Sequence, residues 1–177
     1  MVVIRSERPE DYEVISQIHD SAFGHDWESK LILSLREEEG FDKELSLVAE
    51  VDGKVVGHIL FNHVTIESPV SSHKAVILAP LAVFKEYRNL KAGTKLVEEG
   101  IRIAKERGEK IMLVYGHLFY ERFGFVTAHD RGIFRPNPMK NEIVRLLELE
   151  PGAADGVMGV IKYPKSFRPL IEEWYVD

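Results

Sequence analysis

Apolar residues along this chain recur with two periods, and the switches between them mark out its elements. Val2, Val3 and Ile4 make a short strand, and Pro9, Glu10 and Asp11 after Ser6 suit the first turn of a helix. Val14, Ile15, Ile18 and Ala22 then fall on one helical face. Trp27, Leu31 and Leu35 repeat that spacing, up to the acidic run Glu37, Glu38, Glu39 and Gly40, a solvated helix end. Residues 45–51 and 54–66 read as strands, and Asp52-Gly53 between them is a strong two-residue hairpin signal. A polar loop over 68–73 and an apolar strand over 74–83 follow.

The period turns helical again over 92–107, with Leu96, Val97, Ile101 and Ala104 on one side and Gly108 as the stop. Residues 110–114 make a buried strand, 118–123 a short helix, and Phe125 begins another strand. A long loop over 127–141 carries Arg131, Arg135, Pro136 and Pro138, and strands follow over 143–149 and 157–163. No repeat or linker divides the chain, so a single domain over 1–177 is expected, with its core over 2–127 and C-terminal strands and tail over 128–177. The order of elements predicts an α/β (α+β) layer domain whose mostly antiparallel central sheet is flanked by helices.

The chain has 177 residues, 45% of them hydrophobic and 29% charged, enough to bury a core in one domain. Its formal net charge of -6 argues against wholesale binding to nucleic acid, which requires basic surface, and mildly favours a cationic acceptor. There is no cysteine, which excludes disulfides, zinc-thiolate sites and a cysteine acyl-enzyme. No stretch reads as a signal peptide or reaches membrane-spanning length, so a cytoplasmic protein without membrane contact is expected. The histidines lack metal-site spacing, and no metal is expected.

The apolar strand contains Pro80, which cannot donate a ladder hydrogen bond. One resolution is a bulge or a local break in pairing, after which the amides of Leu81 and Val83 face an open wedge that a ligand with its own amides can fill. The other is an edge strand that tolerates a proline. Directly after it, Glu86, Tyr87, Arg88, Asn89, Leu90, Lys91, Ala92, Gly93 and Thr94 lead into the next helix. A helix start offers amide donors and partial positive charge. Arg88, Lys91 and Lys95 add fixed charge, and Gly93 permits close backbone approach, an arrangement suited to a diphosphate. An ordinary strand-to-helix turn with solvated lysines has the same local pattern.

Leu81, Ala82 and Val83, then Arg88 through Thr94, resemble the acetyl-CoA motif of the GNAT N-acetyltransferases, commonly Gln/Arg-x-x-Gly-x-Gly/Ala. Farther on, Tyr120-Glu121-Arg122-Phe123-Gly124-Phe125 resembles that family's second CoA-proximal motif, and Arg8-Pro9-Glu10-Asp11 resembles its first helix start. The resemblance covers about 2–127, and the tail is similar to that of a subgroup of small predicted acetyltransferases. It implies splayed central strands and acetyl-CoA bound by Leu81, Ala82, Val83, Arg88, Asn89, Leu90, Lys91, Ala92, Gly93 and Thr94. One position departs from the motif: Lys91 stands where the family usually has glycine. If the position requires a positive φ, lysine costs about 1–2 kcal/mol there. It then either crowds the diphosphate or contacts it.

The implied reaction is direct attack of an amine, on a small molecule or a peptide, upon the thioester in a ternary complex. The amide near Leu81 polarises the carbonyl, and Tyr120, a phenol protonated at neutral pH, donates to the leaving thiolate. Tyr120 packing beside Phe119 and Phe123 is the purely structural alternative. No general base is evident: Ala79 and Ile77 occupy the positions where some relatives carry histidine or acid. His58 and His63 point to opposite faces of the preceding strand, and either one, a water or bulk solvent can serve. The segment 23–27 and the loop 127–141 are candidate walls for the acceptor. Lys91 and the missing base also admit a non-catalytic acyl-CoA-binding or sensing module of the same fold. Self-association through the C-terminal strands, as in a homodimer, is compatible with the pattern but not required by it.

Overall fold

The computed structural model describes residues 1–116, 118–136 and 144–169. The strands are β1 (Val2–Ser6), β2 (Ser46–Val51), β3 (Lys54–Ser68), β4 (Ser71–Val83), β5 (Ile111–Tyr115), β6 (Val126–Thr127), β7 (Ile133–Phe134), β8 (Val144–Glu148) and β9 (Gly159–Lys162). The α-helices are α1 (Tyr12–Phe23), α2 (Trp27–Arg36) and α3 (Ala92–Glu106). The hydrogen-bonded order is β1-β2-β3-β4-β5-β8-β6, with β9 beside β3 and β7 beside β9. β4 with β5 and β7 with β9 run parallel, whereas β1 with β2, β2 with β3, β3 with β9, β5 with β8 and β6 with β8 run antiparallel, the mixed and mostly antiparallel sheet that the pattern predicts.

The residues group into two units: Met1–Phe61 with Ala79–Ile103, and the described parts of Asn62–Leu78 with Ala104–Asp177. In the first, β1 pairs with β2 from Val2↔Val51 to Ser6↔Leu47, and β2 pairs with β3 across the hairpin. Asp52 and Gly53 both take positive φ (50° and 77°), as a two-residue hairpin turn demands. The helix start expected near Pro9 is a 3-10 turn, Pro9–Asp11, that runs into α1. Asp11 accepts the backbone N–H of Arg8 at 2.8 Å and both terminal nitrogens of Arg5 at 2.7 and 3.0 Å, which ties the helix start to β1. Arg5 first of all, and then the Arg8 amide, hold the Asp11 carboxyl below its usual range despite burial.

Ile15, Ile18, Ile32, Leu35, Leu47, Ile59, Leu60, Phe61, Leu96 and Val97 fill the core of this unit. Gly100 of α3 lies against the Phe61 ring so closely that a Cβ there would collide with it. Trp27, expected on the apolar face of the second helix, is 45% exposed. It is the first residue of α2, where side chains lean toward the N-terminus, and its ring lies 4.6 Å from His25 while Leu31, Ile32 and Leu35 take the core.

In the second unit, β4 pairs with β5 from Val76↔Met112 to Leu78↔Val114, and β5 continues to β8. Val64, Ile66, Ile77, Leu113, Ile133, Val144, Leu146 and Ile161 form its core. The polar loop expected over 68–73 is shorter than predicted: β3 runs to Ser68 and β4 restarts at Ser71. Ser68 Oγ accepts the N–H groups of Val70 and Ser71, closing a tight turn between strand ends too polar to show in an apolar pattern. The loop expected over 127–141 contains a 3-10 turn, His129–Arg131, and the two-residue strand β7, which is held by β9 and is too short to show a period. Residues 137–141 of that loop, and Ile143 of the strand after it, lie outside the described residues.

Candidate functional site

Within the first unit, β4 runs on through Pro80, whose peptide bond with Ala79 is cis, to Val83. The parallel register with β5 is described only as far as Leu78, two residues before Pro80. Ala82 and Val83 are buried and Leu81 is half-buried. The N–H of Phe84 donates to Val56 O at 2.9 Å, and Gly57 beside it packs closely, a Cβ there pressing on Val83 at 3.0 Å and on Ala82 O and Leu96 at 3.3 Å. This fixes the end of β4 on β3.

The chain then turns through Lys85–Leu90 in 3-10 form. Arg88 Nε donates back to Val83 O at 3.1 Å, so the side chain predicted to face the cofactor also clamps its own loop. Arg88, Asn89, Leu90 and Lys91 are all exposed. Lys91 adopts φ 61° and ψ 23°, the left-handed conformation that glycine takes at no cost. The positive φ on which the cost of a lysine here depends is therefore present. Its carbonyl accepts the N–H of Lys95 at 3.0 Å, which opens α3.

The first turn of α3 contains Ala92, Gly93 and Thr94 and no acidic residue. Amides in the first turn of a helix lack intrahelical acceptors and carry partial positive charge. Ala92 is fully buried, whereas Gly93 and Thr94 are half-buried. Gly93 is helical, and among the described residues a Cβ there would meet only Val83 Cγ2, at an ordinary 3.7 Å. Neither conformation nor internal packing requires glycine at this position.

In the second unit, Tyr120 sits in the 3-10 turn Leu118–Phe123, where the sequence predicts a short helix. Its ring lies on Gly116, where a Cβ would collide with it, and meets Phe119 and Phe125 edge-on at 5.1 and 5.9 Å. Burial pushes its phenol up to about 12, so it stays protonated throughout the neutral range. Arg145 of β8 reaches back to this turn, donating to Gly116 O and Glu121 Oε1, each at 3.0 Å. No local pattern marks Arg145. Its partners lie 29 and 24 residues away in sequence.

The histidines resolve differently. His63 is exposed, 3.5 Å from Glu109 Oε1. His58 is fully buried and engaged, with Nε2 2.9 Å from Ser46 Oγ and 3.4 Å from Glu7 Oε2, and Nδ1 2.9 Å from His19 Nε2. Arg36 forks onto Glu7 at 2.8 and 3.0 Å and lies over the Tyr12 ring. The sequence reading missed Glu7, His19 and Arg36. His19 follows Ile18 on the buried face of α1, and a histidine on an apolar helical face is the signal that was there to find. Phe23 and Trp27 are exposed, with the His25 ring between them. Arg135, from the other candidate wall, is buried over the Tyr115 ring.

Among the described residues, no three His, Cys, Asp or Glu side chains are grouped as metal ligands would be. No helix among them is long and apolar enough to cross a membrane.

The chain is 39% identical over 134 residues to the uncharacterized N-acetyltransferase YjhQ of Escherichia coli K12, covering 75% of this chain and 74% of that one. It is 33% identical over 168 residues to the uncharacterized N-acetyltransferase YhbS of the same strain, covering 94% and 98%. The crystal structure of Escherichia coli YhbS in complex with CoA superposes with a TM-score of 0.87, at 31% identity over 94% of this chain and 92% of that one. A GNAT family acetyltransferase from Brucella melitensis in complex with acetyl-CoA gives 0.76, at 29% identity over 94% and 98%. Residues 12–125, from the start of α1 to the aromatic turn around Tyr120, match the acetyltransferase (GNAT) family model, and the chain belongs to that family.

Proposed function

We propose that this protein transfers an acetyl group from acetyl-CoA to a primary amine of a small molecule or peptide, by direct attack in a ternary complex. One observation carries the reading. The first turn of α3 holds no acid and includes a glycine that the protein's own packing does not require, so the missing methyl leaves room for a ligand outside the chain. The CoA and acetyl-CoA complexes of the two similar structures support the same assignment.

On this reading Arg88, Asn89, Leu90, Lys91, Ala92, Gly93 and Thr94 hold the diphosphate, and the backbone of Leu81, Ala82 and Val83 pairs with the pantetheine amides. The Leu81 amide polarises the thioester carbonyl. The amine nitrogen forms its bond to the carbonyl carbon, the carbon–sulfur bond breaks, and the leaving sulfur takes the proton of Tyr120. The proton shed by the amine restores the phenol. The exposed rings of Phe23 and Trp27 flank the acceptor. His58, engaged by Ser46, Glu7 and His19, is not the base.

Thiol release from acetyl-CoA across a panel of primary amines tests the activity. Tyr120→Phe is expected to lower turnover about 10- to 100-fold with CoA affinity unchanged, and undiminished turnover removes its role as donor. Lys91 favours a second reading, an acyl-CoA-binding module without turnover, because a strained lysine replaces the usual glycine. CoA binding by calorimetry with no thiol release for any amine would establish that alternative.

A further inference from the structure

The partners of the buried cluster beneath α1 and α2 favour one protonation pattern. Glu7 is a carboxylate: burial alone would raise its pKa, but hydrogen bonds from His58 and Arg36 bring it down to about 2. His58 Nε2 faces two oxygens, Ser46 Oγ at 2.9 Å and the Glu7 carboxylate at 3.4 Å; the hydroxyl can accept and the carboxylate can only accept, which favours the ring proton on Nε2. Nδ1 of the neutral ring is then a lone pair, and the 2.9 Å contact requires His19 Nε2 to donate to it. His19 Nδ1 is thereby also a lone pair, fully buried and without a hydrogen-bond partner among the described residues. A further proton on either ring breaks the chain. On His58 it sets two N–H groups face to face, and on His19 it leaves a buried N–H with no acceptor. The charged groups facing the pair are Glu7 at the end of β1, Asp11 at the start of α1 and Arg36 of α2.

This chain ends under the α1–α2 junction. The His19 ring stacks on Phe23 at 6.0 Å, Phe23 on His25 at 6.2 Å, and His25 meets Trp27 at 4.6 Å. At its other end, His58 follows Gly57 and Val56, the residues that hold the end of β4. The cluster therefore links the proposed acceptor wall to the strand beneath the proposed cofactor segment. Both lie in the first unit.

We propose that His19 and His58 are positioning residues for the acceptor amine, a neutral imidazole pair that ties the α1–α2 junction, with Phe23 and Trp27, to β3 and releases it on protonation. The role in catalysis rests on the acetyltransfer reading above; the pair itself does not.

The test uses the full chain. Labelled with 15N-histidine at neutral pH, both rings should show the Nε2–H neutral tautomer. A charged ring or an Nδ1–H tautomer at either position overturns the proposal, with no variant needed. Trp27 emission is then followed from about pH 8 to about pH 5 in a His25→Gln/Trp174→Phe background, because His25 would quench it directly. A transition that tracks the His19 and His58 signals, and is lost in His58→Gln, is expected. Emission that stays flat while those signals titrate overturns it. With any amine the panel shows to be acetylated, His58→Gln should raise KM for the amine about tenfold and leave KM for acetyl-CoA unchanged. Equal rises in both would make the pair merely structural. If no amine is acetylated, the acetyltransfer reading fails, and the spectra still decide whether the pair holds the junction.

Discussion

Glu7, Arg36, His58 and His19 are buried and bonded to one another, whereas Arg88, Asn89, Leu90 and Lys91 in the same unit are exposed on a backbone that turns left-handed. In the first region each of the four side chains has a polar partner inside the protein. Around Lys91 and Gly93 the internal accounting fails: a lysine takes a conformation that costs energy, and a glycine sits where alanine would fit. Buried polar groups that hold one another report on stability, whereas on the proposed function the residues that internal packing leaves unexplained report on CoA. The distinction separates the two regions even though both are rich in charge.

Breaking the buried pair should have the largest effect. Glu7→Gln leaves Arg36 as an uncompensated buried cation and is expected to cost about 3–5 kcal/mol by chemical denaturation. Arg88→Gln, at an exposed site, should cost under about 1 kcal/mol. Comparable losses would erase the contrast.

Acid should act on the first region next. Burial holds both His19 and His58 below the ordinary value of 6.5, so the unfolded chain binds more protons between their folded values and 6.5. Their contribution is complete above about pH 6.5 and is lost as the pH falls below it. Glu7 adds a separate loss from about 4.5 down to about 2. A series of denaturation midpoints against pH should show the first decline in the parent and not in a His19→Gln/His58→Gln double variant.

At the loop the expected changes are smaller and of opposite sign. Lys91→Gly relieves the left-handed strain and should stabilise by about 1 kcal/mol. The same variant tightens CoA binding if the lysine obstructs the diphosphate and loosens it if the lysine contacts a phosphate, which calorimetry with CoA reads directly. Gly93→Ala should shift stability by only about 0.5 kcal/mol, favourably, because the methyl fits and alanine favours a helix. It should nevertheless weaken CoA binding about tenfold or more. Unchanged affinity would remove the argument that this glycine is kept for a ligand.

Much of the fold was legible because its signals are local. Asp52-Gly53 announces its hairpin through the only backbone shape two such residues favour, and the apolar spacing from Leu96 to Ala104 defines α3 within the residues predicted. Lys91 could be flagged as strained from a motif alone, and it is. The turn carrying Tyr120 spans the residues the sequence predicts for it, Leu118–Phe123. The polar ends of β3 and β4 and the two-residue strand β7 were not found, since their pairing depends on neighbours rather than on their own period.

What the chain decided unaided is whatever depends on residues a few positions apart: helix faces, strand alternation, a turn, and the helix start after β4. Which polar side chains meet was left to the tertiary structure. His19 and His58 are 39 residues apart, and Arg36 and Glu7 are 29. Local spacing sets where a side chain points. Only the packing of strands and helices sets what it finds there, and a buried charge is tolerable only when it finds a partner.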